Sequence, residues 1–353
     1  MSTILHRDRD DGPQPYRVIT TSFDVNSLLY LADGRLVSGS SVDGTVTFWN
    51  VEEGKQERTF LLHNGDEMFD FALTGDGKKI IGDWEGGVKV LDVESDQVVK
   101  EWFDKFPPVA VSPDNRLVAV GSKERIFIHA IEGWQVKQTF EVDKDPLRMS
   151  FSPAGNKLAC STKFDIHVYD VDSGTLILGP LDFGYGKPIL WSRDGSRLFS
   201  APSWEETIIH CWNANTGKQI GHPWTGHDSW IFSLSLSPDG SILVSASWDK
   251  TVRFWNATTG DQIGQPLRHQ CDVLDVYFSP SGRSMASTTD DEIYLWQVPR
   301  LDTVEGQVCK SIHFGVLALI SYRRTQPCST QATHMTRAHS HLRIPCNFPA
   351  LRV

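Results

Sequence analysis

The stretch GHDSWIFSLSLSPDGSILVSASWDKTVRFWNATTG, residues 226–260, decides the architecture of this chain. It reads as three short strands separated by turn signals. An apolar run ends at Leu236, the turn Ser237-Pro238-Asp239-Gly240 follows, and a second run over 242–246 leads to a tight turn around Asp249. A third run over 251–256 then meets a glycine turn. Such a unit has two sheet faces and no core of its own, so it is stable only when copies of it stack.

Six further copies are present. Gly34, Gly77, Asn115, Gly155, Gly195, Gly240 and Gly282 occupy equivalent turn positions, spaced 38 to 45 residues apart, near the period expected for four strands per propeller blade. An aromatic or large apolar residue closes the third strand of most copies: Trp49, Leu91, Tyr169, Trp212, Trp255 and Trp296. In the third copy this site is blurred, near His129. The second, third and fourth copies also carry Gly82, Val120 and Cys160 where the sixth has Ser245, so these blades are expected to rely on apolar packing.

On these residues, over 15–299, the chain resembles the WD-repeat (WD40) family of β-propellers. The sixth copy shows the signature best, as Gly226-His227, Ser245, Asp249 and Trp255-Asn256, with Asn where the family usually has Asp. The resemblance implies a buried hydrogen-bond network of His227, Ser245, Asp249 and Trp255, with His269, Ser287, Asp290 and Trp296 as its counterpart in the seventh copy. This His-Ser-Asp set reads as a folding device and not as a catalytic triad. The fold class is therefore all-β, a seven-bladed propeller of four-stranded antiparallel blades. The seventh copy has only three strands of its own, and the extended segment at 15–20 is expected to supply the fourth and close the ring, as is common in the family.

Composition bounds the rest. A net charge of −10 leaves no electrostatic footprint for nucleic acid. Residues 1–14 form a polar leader without a secretory pattern, and no apolar run reaches a membrane span. The six Cys lack CxxC spacing and read as reduced thiols of a cytoplasmic chain, with a nuclear one as the alternative. Beyond Arg300 the pattern stops. Residues 307–353 hold six Lys or Arg and no Asp or Glu, whereas residues 1–306 carry 28 basic against 44 acidic residues, a net of −16. The segment 300–353 is read as a disordered basic tail. Its charges are scattered, which favours a sequence never selected to fold, such as translated intron or a frame-shifted end, over a basic binding arm.

No phosphate loop, HExxH or GxSxG is present. Asp70, Asp275 and Arg148 stand at matching offsets on inner strands, where they would line a central channel. No cofactor or metal is expected. The leading functional expectation is a non-catalytic protein-binding scaffold, a monomeric propeller within a larger complex. The alternatives are an enzyme that uses the channel, and a free-standing relative of the ligand-sensing propellers of fungal signalling ATPases, whose outer strands these resemble. Counting chain reversals places the loop at Gly226-His227 and the turn at Asp249 on one face. By analogy with the family's usual contact surface, a protein or peptide partner would meet Trp230, Phe232 and Trp248 in the sixth copy and Glu67, Phe69 and Trp84 in the second. Tyr185 and Lys187 in the fifth and Lys105 and Lys123 in the third complete the set.

Overall fold

The third strands carry the repeat most plainly. In the computed structural model, which describes residues 12–299 apart from 41, 43, 62–67, 85–86, 104–107, 183–187 and 203–205, each is six residues long. They are Thr45–Asn50, Gly87–Asp92, Arg125–Ala130, Asp165–Asp170, Ile208–Asn213, Thr251–Asn256 and Glu292–Gln297. Their fifth places are Trp49, Leu91, His129, Tyr169, Trp212, Trp255 and Trp296, so the blurred site of the third copy is His129 itself.

Alternation along a strand sends the second and fourth side chains to one face and the fifth to the other. In Thr251–Asn256, Val252 and Phe254 pack with Val276, Phe278 and Met285 of the following copy. Trp255 packs with Phe199, Ile209 and Cys211 of the preceding one. Each blade thus buries apolar side chains on both faces, and its neighbours cover both.

The result is seven four-stranded antiparallel sheets, a β-propeller. Blades one to six each consist of four consecutive strands, counted outward from Ser27–Tyr30, Met68–Leu73, Val109–Val111, Arg148–Phe151, Ile189–Trp191 and Ile231–Leu236. The inner strands surround a central channel of about 740 Å³. The outer strand of blade five is reduced to Trp224–Thr225 and a bridge between Trp212 and Gln219. Gly221, at φ 69°, turns the chain, and Pro223 has no N–H to give to the ladder.

Blade seven has Asp275–Phe278, Ser284–Thr288 and Glu292–Gln297 of its own and takes Arg17–Thr20 as its outer strand. The register runs from Arg17 opposite Leu295 to Thr20 opposite Glu292. Tyr16 N and Thr21 N extend the pairing to Leu295 O and Asp291 O, each at 2.9 Å. Ile19 is buried with Ala286, Ile293 and Leu295 of blade seven and Leu28, Leu36 and Trp49 of blade one. One short strand therefore satisfies an edge and fills the core across the closure.

Deleting residues 1–20 is expected to expose the edge of Glu292–Gln297 and cause aggregation or loss of cooperative unfolding in scanning calorimetry. Ile19→Asp should keep the hydrogen bonds yet lower the melting temperature, because it buries an unpaired carboxylate.

Candidate functional site

In blade six, four side chains form a chain of polar contacts. Trp255 Nε1 donates to Ser245 Oγ at 2.9 Å, and His227 Nε2 lies 2.6 Å from the same Oγ. His227 Nδ1 meets Asp249 Oδ2 at 2.7 Å. The ionised carboxylate only accepts, so Nδ1 carries the proton, Nε2 accepts from the Ser245 hydroxyl, and the Ser oxygen accepts from the indole N–H. Asp249 also accepts from Thr251 Oγ1 at 2.6 Å and Asp228 N at 3.1 Å. Burial works to raise its pKa, but the hydrogen bond from His227, then those from Thr251 and the Asp228 amide, hold it well below the ordinary carboxylate range. Burial lowers the pKa of His227 and keeps it neutral.

Blade seven keeps only part of this. His269 Nε2 lies 2.8 Å from Ser287 Oγ, and Trp296 Nε1 donates to that oxygen at 2.8 Å. Asp290, expected as the fourth member, is exposed and makes no bond to His269. The reason is turn length. Ser245 pairs with Arg253 and Ser287 with Tyr294, so the hairpin of blade seven is one residue shorter. Blade six has room for Lys250 at φ 66°, which folds Asp249 inward. The shorter turn leaves Asp290 facing out and His269 Nδ1 without a partner.

The turn that holds Asp249 also presents Trp248. Its ring stacks on Trp230 at 4.7 Å and on Phe232 at 4.9 Å, with interplanar angles of 24° and 23°. Trp248 N donates to Trp230 O at 2.9 Å. A β-bulge aims Phe232: Ile231 pairs with Ser247 and Ser233 with Ala246, leaving Phe232 as the extra residue. Trp248 is 38% exposed, against 1% for Trp255. Lys123 is exposed in the corresponding hairpin of blade three. In blade two, Trp84 ends the second strand opposite Met68, at the level of Ser247 and one place before Trp248. Glu67, Lys105, Tyr185 and Lys187 lie outside the described residues, as do the side chains of Phe69, Asp70 and Trp84.

The model of the WD domain, G-beta repeat, matches residues 14–50, 217–256 and 261–297, the closing strand with blade one and the two blades with His-Ser-Trp contacts. The chain is a WD-repeat protein. It is 38% identical over 265 residues to Periodic tryptophan protein 2 of Arabidopsis thaliana, covering 72% of this chain and 27% of that one. It is 33% identical over 110 residues to the Periodic tryptophan protein 2 homolog of Neurospora crassa, covering 31% and 12%. The chain thus spans about a quarter or less of these relatives. Among solved structures, a chain of the "Crystal Structure of Mitotic Checkpoint Complex" superposes with a TM-score of 0.70 at 17% identity, covering 84% of this chain and 96% of that one, a likeness of fold.

The other WD repeats depart from the signature in graded steps. Trp49 and Trp212 keep the serine contact, donating to Ser38 at 2.8 Å and Ser200 at 2.9 Å. Sequence reading missed these serines because differing turn lengths vary their spacing from the Trp. Blade four was expected to rely on packing, yet it builds a different polar network. Tyr169 Oη lies 3.4 Å from His167 Nδ1, His167 Nε2 lies 3.1 Å from Asp165 Oδ1, and Asp165 Oδ2 pairs with Lys144 Nζ at 2.5 Å. Asp165, His167 and Tyr169 alternate along one strand, and that alternation was the available signal. Blade three packs His129 against Trp102 at 4.8 Å.

The channel residues serve the ring as well. Asp275 Oδ2 accepts from Leu28 N of blade one at 2.6 Å, and the Ser233 side chain of blade six bonds the same carboxyl. Burial, opposed by these bonds, raises its pKa, while burial lowers that of Arg148, against the charge of Asp275.

Asp249→Ala should cost about 1–3 kcal/mol by orphaning buried donors, and Trp255→Ala about 3–5 kcal/mol by leaving a cavity. Asp290→Ala should stay within about 0.5 kcal/mol. Thermal and urea unfolding of the three variants separates these outcomes.

Stability should also depend on acid in a stated window. Burial lowers His269 from 6.5 to about 4. Between those values the unfolded chain binds a proton that the folded chain refuses. Stability is therefore full above pH 6.5 and falls towards pH 4, by up to about 3 kcal/mol. His269→Gln should flatten this slope in melting curves recorded across the window.

Proposed function

We propose that this WD-repeat propeller is a non-catalytic platform that holds another protein or a peptide on the face carrying Trp230, Phe232 and Trp248. The observation behind the proposal is the exposed aromatic stack. A large ring fixed between two others loses little conformational freedom when covered and brings much apolar area, which are the properties of binding hot spots. The groups that suggest chemistry are engaged within the fold. His227, Ser245 and Asp249 bond one another, and the Asp275 carboxylate ties blades one and six to blade seven. The reading includes a monomeric propeller acting within a larger assembly in the cytoplasm or nucleus. The free, buried Cys160, its thiol pushed up to about 12 by burial, fits a reducing compartment.

The test is affinity purification with mass spectrometry, followed by measurement of the captured partner against purified variants. Trp248→Ala or Trp230→Ala should weaken binding about thirtyfold or more while the melting temperature stays close to that of the wild type. A partner indifferent to Trp230, Phe232 and Trp248 together would move the site to the blade rims or the channel.

A further inference from the structure

The aromatic shelf of blade six continues into carboxylates. The loop entering the inner strand of blade seven lies against the Trp248 hairpin, with Val273 N donating to Ser247 O at 3.1 Å, and this brings Asp272 beside that hairpin. On the far side, Val25 N donates to Asp290 O at 2.7 Å, which brings Asp24 up to Asp290 and Asp291. Burial first, and then the charges of Asp24, Asp272 and Asp291, raise the pKa of Asp290. Lys250, the cation in the adjoining turn, donates instead to Gln270 O at 3.3 Å.

A second observation lies beneath the cluster. His269 is only 8% exposed and holds Ser287 through Nε2 as His227 holds Ser245. Its Nδ1 makes no hydrogen bond of normal geometry, and the neighbours that act on the ring are the carbonyls of Leu267 and Lys250. Asp290 and Asp291 are therefore left exposed by the short turn, near a ring stack that is itself part-exposed.

We propose that the occupant of this face is an arginine- or lysine-bearing peptide segment of another protein, its apolar groups on Trp230, Phe232 and Trp248 and its cations on Asp272, Asp290 and Asp291. This rests on the platform reading and adds the partner's chemistry. Arginine suits both halves, since a guanidinium stacks on indole and forks onto carboxylates. The net charge of −16 over residues 1–306 steers such a segment inward.

The test is fluorescence anisotropy on the full chain with two fluorescein-labelled peptides, one built from arginine, leucine and serine, the other with glutamate in place of arginine. The arginine peptide should bind, more weakly as sodium chloride rises, and the glutamate peptide should not. Combined Asp272→Asn, Asp290→Asn and Asp291→Asn should weaken binding about tenfold, and Trp248→Ala about thirtyfold. Asp261→Asn, a charge change on the opposite face, should leave it unchanged. Melting curves check that each variant is folded. Equal binding of both peptides, no binding of the arginine peptide, or binding that ignores the triple variant overturns the proposal. If in the last case Trp248→Ala still abolishes binding, the platform face stands and only the basic partner falls; if neither variant matters, both fall.

Discussion

No blade of this protein has a face that water can cover at low cost. Val252 and Phe254 need blade seven, Trp255 needs blade five, and the same demand passes from blade to blade until it returns to its start. A stack with that property must close or aggregate. Closure depends on Arg17–Thr20, which pairs with Glu292–Gln297 while Ile19 enters the core between blades seven and one. Asp275 reinforces the same seam from the axis by accepting the Leu28 amide.

Within that ring the polar networks vary without loss of the fold. The full Trp-Ser-His-Asp chain exists in blade six, a truncated one in blade seven, and a bare Trp-Ser contact in blades one and five. Blade four substitutes Tyr169, His167, Asp165 and Lys144. What these share is a closing aromatic residue whose polar atom meets a partner, which matters more than which residue supplies that partner. Leu91 shows the other solution, a closing position with no polar atom to satisfy.

The same variation makes the ring's face uneven. A three-residue turn in blade six folds Asp249 inward and lifts Trp248 onto its neighbours' rings, while a shorter turn in blade seven leaves its acids outside. Aromatic surface and negative charge become neighbours because the loop carrying Asp272 is pinned to Ser247. A difference of one residue in a hairpin thereby shapes the chemistry offered to a partner.

Sequence by itself determined the repeat, the number of blades and the closing strand, because these rest on local signals: turn residues at a steady period, strand alternation, and a Trp at the fifth place of four of the third strands. The members of the blade-six network came from the resemblance to the family. Sequence also marked Trp230, Phe232 and Trp248 as members of one face, since chain reversals can be counted. Only the tertiary structure decided that His129 occupies the closing position, that Asp290 leaves the network, that Asp165, His167 and Tyr169 form another, and that Asp275 binds the ring together. Each of these depends on register, turn length or a contact between blades far apart in the chain. A one-residue shift in a hairpin redirects a side chain while hardly altering the pattern from which the strands are read.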